Sequence, residues 1–152
     1  MRCIDDVIAI EGLVSAHGGV YAIGGSKLNP SYDDVAFLNL SVGVAAVWTP
    51  VSPLNKARCW PMVAAITGTD GREMVVAAGG LSLVPMFQPM ASVEVYDKDT
   101  DSWTLLEDPS RGALPAPIGF GSGAALNATH MIAGGGAGPG VSGAEEYTFA
   151  LD

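Results

Sequence analysis

Only two cysteines, Cys3 and Cys59, occur in this chain of 152 residues. Two are too few for a disulfide framework, neither sits in a metal-ligand spacing, and both are expected to be free thiols. Charge is also scarce and one-sided: charged residues make up 15% of the chain, with seven basic against sixteen acidic and a formal net charge of −9. A surface of that sign repels nucleic-acid phosphate and anionic lipid, so neither is an expected partner. No apolar run approaches the ~18 residues that a membrane-spanning helix needs. The opening "MRCIDDV" places Asp5 and Asp6 where a secretory signal needs an uninterrupted apolar stretch, so no targeting peptide is expected.

What is present describes a folded β-protein. Hydrophobic residues make up 49% of the sequence, which suits one ordinary domain and not a disordered tail. Twenty glycines and ten prolines argue against long helices, and they fall between short runs rich in Val, Ala, Ile and Leu. The expected class is all-β.

The runs repeat. Gly24-Gly25 ends "VYAI", Gly79-Gly80 ends "MVVAA" and Gly134-Gly135 ends "HMIA", at intervals of 55 residues. Trp48 follows Gly24 by 24 residues and Trp103 follows Gly79 by the same 24. Turn signals recur upstream at Gly18-Gly19, Asp70-Gly71 and Asn127-Ala128, as tight β-hairpins require. After each glycine pair come a loop and a third strand, "VAFLNL", "SVEVYD" and "EEYTFAL", and the first two repeats begin a fourth strand at the tryptophan. Arg2, Arg58 and Arg111 stand near the start of each unit. Four short antiparallel strands repeated at about fifty residues describe a β-propeller blade. "MVVAA", with no polar alternation, is expected to be an innermost strand buried on both faces.

An apolar strand ending in Gly-Gly, then a tyrosine, then a tryptophan seven residues later resembles the kelch repeat. "MVVAAGG", Tyr96 and Trp103 carry the whole pattern. The first repeat keeps Gly24, Gly25 and Trp48 but has Leu38 near the tyrosine position; the third keeps Gly134, Gly135 and Tyr147 without a tryptophan. The resemblance implies a propeller of kelch-like four-stranded blades and commonly a protein-interaction role. Blade 1 is expected at 1–56, blade 2 at 57–110 and an incomplete blade 3 at 111–152. Propellers close with about four to eight blades, so two readings stand: a segment of a larger propeller, or a homo-oligomer whose copies complete the ring.

Asp97, Asp99, Asp101 and Asp108 match positions 1, 3, 5 and 12 of a calcium-binding EF-hand loop, but Ser102 replaces its glycine, Asp108 its glutamate, and the flanks are strands. The same residues serve as a polar turn between third and fourth strands, and that reading is preferred. His17 and His130 lie near hairpin turns without a carboxylate or cysteine set around both, and "GGGAGPG" opens no helix that would cradle phosphate. No cofactor and no catalytic constellation is expected. Asn39-Leu40-Ser41 and Asn127-Ala128-Thr129 are N-glycosylation sequons: an extracellular location follows if Asn39 or Asn127 is used, a cytoplasmic one if neither is.

The loops after the glycine pairs emerge together on one end of a propeller, where function concentrates. "LSLVPMFQPMA" alone among them is strongly apolar. Leu83, Val84, Met86, Phe87 and Met90, with Tyr32, Asp33 and Asp34 beside them, are the candidate partner contacts. The opposing reading folds this loop over its own blade. The leading functional reading is a non-catalytic protein-interaction or structural module; the alternative is a piece of a secreted kelch-like glycoprotein or propeller enzyme whose active residues lie elsewhere.

Overall fold

The computed structural model describes residues 11–26, 32–84 and 86–138, and the backbone of 146–150. Arg2, Cys3, Asp5 and Asp6 lie outside the described residues, as does most of the third glycine loop.

Strands dominate. In chain order they are β1 (Gly12–Ala16), β2 (Gly19–Ile23), β3 (Val35–Asn39), β4 (Trp48–Val51), β5 (Met62–Thr67), β6 (Glu73–Ala78), β7 (Leu81–Ser82), β8 (Gln88–Pro89), β9 (Val93–Asp97), β10 (Ser102–Leu106), β11 (Ser122–Ala125), β12 (His130–Gly134) and β13 (Glu146–Ala150). They form antiparallel sheets ordered β1-β2-β3-β4, β10-β9-β6-β5 and β11-β12-β13, with β7-β8 as a separate ribbon. These are kelch-like blades of four, four and three strands, not closed into a ring. The ribbon lies inside the stretch after the second glycine pair, where the sequence predicts only a loop.

Turn chemistry sets the registers. Ala16 pairs with Gly19, leaving His17 and Gly18 as a two-residue loop with φ of 53° and 73°, the type I′ geometry that matches strand twist. The turn therefore sits one residue earlier than the Gly18-Gly19 signal, and Gly19 is the first residue of β2. Four residues, 98–101, join β9 to β10. Eight residues, 40–47, make the corresponding link between β3 and β4, which contains a 3-10 segment Leu40–Ala45.

The middle sheet is buried on both faces because a sheet lies on each side. Val75, Ala77, Tyr96 and Trp103 pack with Ala16, Tyr21, Ile23 and Val35 of the first sheet. Val76, Ala78, Val93 and Val95 pack with Met131 and Ala133 of the third, together with Leu114 and Ile118. Fully burying a Val, Ile or Met side chain contributes about 1.5–3 kcal/mol, so these two cores hold the sheets together. "MVVAA" lacks alternation for this reason, but it lies in β6, an interior strand of its sheet. The edge strand of that sheet is β5, which lies directly against β1 and β11.

The first two glycine pairs are where the following connector crosses the sheet end. Gly24 and Gly79 have φ of 62° and 59°. A Cβ on Gly79 would stand 2.7 Å from the Ile118 carbonyl oxygen, and one on Gly24 would press on that of Arg58. The glycines after them bond those same carbonyls: Gly25 N–H donates to Arg58 O at 3.1 Å and Gly80 N–H to Ile118 O at 2.9 Å. In the third sheet the left-handed pair is Gly135-Gly136, at 72° and 81°, while Gly134 closes β12 opposite Ser122. The third repeat thus runs one residue later than the spacing of the glycine doublets implies. Its ladder agrees: Met131, four residues before that pair, faces Phe149, as Val75 faces Tyr96. Tyr147 stands opposite Ala133, in the register of Glu94 rather than of Tyr96.

Candidate partner-binding face

At the end of the sheets that carries the glycine pairs, the connector between the first two sheets is fixed by a buried ion pair. Arg58 and Glu94 are both fully buried, with Arg58 Nη2 2.7 Å from Glu94 Oε1. Arg58 Nη1 also donates to the carbonyls of Gly79 at 2.9 Å and Ser92 at 3.0 Å. Glu94 Oε2 accepts from the backbone N–H of Asn55 at 2.7 Å and its side-chain amide at 2.9 Å, while Oε1 accepts from Lys56 N–H at 3.0 Å. Burial pulls the Arg58 guanidinium below its usual range and Glu94 opposes that pull. Every charge here has partners, as burial demands.

This connector delivers Cys59 and Trp60 to the ribbon. Cys59 exchanges backbone hydrogen bonds with Leu81 at 2.8 and 2.9 Å, and Cys59, Leu81 and Leu83 form a small core with Trp60 against it. Burial pushes the Cys59 thiol up to about 11, so it is an inert buried group. Met90 is bridged to Ile118 on the other side. The loop therefore divides between the two readings. Leu83, expected among the contacts, is buried because the β7-β8 ribbon turns it inward; Met90 is half-buried; Val84, Met86 and Phe87 at the tip are 62%, 71% and 64% exposed.

Tyr32 and Asp33 brace the same connector through their backbone, their carbonyls accepting from Arg58 N–H and Leu54 N–H, while the Asp34 carbonyl accepts from Gly24 N–H. Tyr32 is half-buried, and the Asp33 and Asp34 residues are exposed. Two further contributors escaped the sequence reading. Trp60 and Phe120 stack with ring centroids 4.9 Å apart, and both have left-handed backbones, φ 48° and 59°. Each lies two residues before the first strand of its sheet, so aligning "CWPM" with "GFGS" was the available signal.

The acidic stretch forms the turn between β9 and β10. Asp97 pairs with Arg72 at 2.6 Å and caps Asp99 N–H. Asp101 accepts from Tyr96 Oη at 2.7 Å and Ser52 N–H at 3.0 Å, and the Ser52 and Tyr96 bonds hold its carboxyl below the usual range. Asp108 caps the 3-10 segment Pro109–Arg111 by accepting from Ser110. The carboxylates of Asp97, Asp101 and Asp108 thus serve separate structural ends. Nearby, Tyr96 packs on Trp103 at 5.0 Å and meets Tyr21 edge-to-face at 5.5 Å; Trp103 Nε1 donates to Ser52 O. Trp48, half-buried, faces Leu38 in β3 as Trp103 faces Tyr96 in β9.

His17 links sheets: its Nε2 lies 2.8 Å from Glu73 O and its Nδ1 2.9 Å from Tyr21 Oη. His130 closes the β11-β12 turn on Asn127. Asn39 and Asn127 are exposed, each bonded to the hydroxyl of its own sequon, Ser41 or Thr129. Arg111 is exposed and does not share the buried setting of Arg58; at that place in the third sheet, the carbonyl resting on a glycine pair belongs to Ile118.

No family model matches this chain. The F-box/kelch-repeat protein OR23 of Arabidopsis thaliana is 35% identical over 120 residues, covering 71% of this chain and 27% of that protein. The blades, their glycine pairs and this match make one statement: the chain is related to the kelch-repeat proteins. It spans about a quarter of the length of that relative. The relationship supports, in general terms, a protein-interaction module.

Proposed function

We propose that this chain is a non-catalytic protein-interaction module whose contact surface is the tip of the β7-β8 ribbon, Val84, Met86 and Phe87, bordered by Met90, Trp60 and Phe120. One observation carries the reading: three large apolar side chains stand exposed at the tip of a loop whose base is clamped to Cys59 on one side and Ile118 on the other. A rigid base lowers the ordering cost of binding, and Met and Phe are adaptable contact residues. Capture of a partner from a cell extract tests it. The double substitution Met86→Ser, Phe87→Ser is expected to abolish capture with unchanged circular dichroism; unfolding of that variant, or unchanged capture, argues against the contact role.

A second class of partner is further blades, from the same polypeptide or from another copy. It is supported by the open arrangement of the sheets and by the 58% exposed Leu13 on β1. Native mass tests self-assembly: dimers or larger species are expected, and a stable 15.5 kDa monomer at high concentration overturns it.

A further inference from the structure

We infer that the segment taken by this face is an extended peptide that sets an arginine or lysine beside an apolar side chain, the cation resting against the Trp60–Phe120 pair; this rests on the contact role of the ribbon tip proposed above. Two bulky aromatics hold left-handed backbones at corresponding places in successive sheets, a costly conformation that clusters at binding sites. They stack on each other at 4.9 Å, and Phe120 is 55% exposed. Trp60 packs on the Cys59–Leu81–Leu83 core, and Val84 of the exposed tip follows Leu83 directly, so one small core carries both the aromatic pair and the tip as an apolar strip.

Charge selects the cation. Glu11 accepts from Trp60 N–H at 2.9 Å. Asp33 and Asp34 are exposed on the segment hydrogen-bonded to Arg58, two residues from Trp60. Among the described residues at this end, each cation already has an acidic neighbour: Arg58 has Glu94, Lys56 has Glu107 and Arg111 has Asp108. The strip thus lies in a negative field, in a chain of net charge −9. Such a field draws in basic segments, and ring faces favour guanidinium or ammonium groups.

The test measures anisotropy of two short labelled peptides, alternating Arg-Leu and alternating Glu-Leu, against the folded chain. The Arg-Leu peptide is expected to bind and to weaken as salt rises. Phe120→Gly, which suits a positive φ and removes the whole side chain, is expected to weaken it about tenfold with the thermal midpoint kept. Asp33→Asn with Asp34→Asn is expected to remove much of the salt dependence. Equal binding of both peptides, lost in Phe87→Ser, overturns the basic partner and leaves the contact role of the tip standing. Arg-Leu binding that ignores both Phe120→Gly and Phe87→Ser is diffuse attraction to an acidic protein and overturns the inference, as does the absence of binding.

Discussion

Glu94 accepts four hydrogen bonds, one from Arg58 and three from the connector residues Asn55 and Lys56, while fully buried. Replacing it by alanine leaves the Arg58 guanidinium uncompensated, which costs about 3–5 kcal/mol; a urea titration of Glu94→Ala should show the midpoint fall accordingly. The double variant Arg58→Met, Glu94→Leu should not recover the loss, because the Asn55 and Lys56 amides remain without their acceptor. Tyr21 gives a residue-level pH signature. Its phenol is raised to about 12, chiefly by burial and then by Glu73 and Asp101, against an ordinary value of ~10. The folded state holds this proton more tightly, so its contribution is complete below pH ~10 and is lost as pH rises through the folded value. Thermal midpoints followed from neutral pH upward should drop across that window, less steeply in Tyr21→Phe. Arg58 was visible in the sequence as a recurring arginine, but its partner was not: "SVEVYD" looks like an ordinary half-exposed strand until Asn55 and Lys56 fold over it.

The β7-β8 ribbon separates support from contact within one loop. Leu81 is 1% exposed and Phe87 64%. Leu81→Ala should therefore cost about 2–5 kcal/mol, while Met86→Ser and Phe87→Ser should each stay within about 0.5 kcal/mol of the parent, as read by denaturant midpoint. The glycine doublets made the blade strands legible because, in the first two sheets, a backbone carbonyl crosses the sheet end where a Cβ has no room. The third doublet misled by one residue, since the run Gly134-Gly135-Gly136 offers two overlapping pairs and only the register of β12 with β13 chooses between them. Trp60 and Phe120 stayed hidden because neither lies on a strand and their resemblance is positional, with different residues around them.

Across the whole molecule, the middle sheet is wedged between two others. The exposed apolar residues lie at both ends. Val84, Met86 and Phe87 project from the glycine-loop end, whereas Leu40, Val42 and Val44 project from the eight-residue link between β3 and β4, at the end that carries the hairpin turns. This second patch was legible only as a longer turn, and its exposure makes it the proper control. Side-by-side partner capture from one cell extract by the parent chain, by Met86→Ser with Phe87→Ser, and by Leu40→Ser with Val42→Ser is the most direct test of the contact face. The expected result is loss of the captured protein in the ribbon-tip variant alone, with all three chains folded; retention by that variant, or loss confined to the Leu40 and Val42 variant, would contradict it.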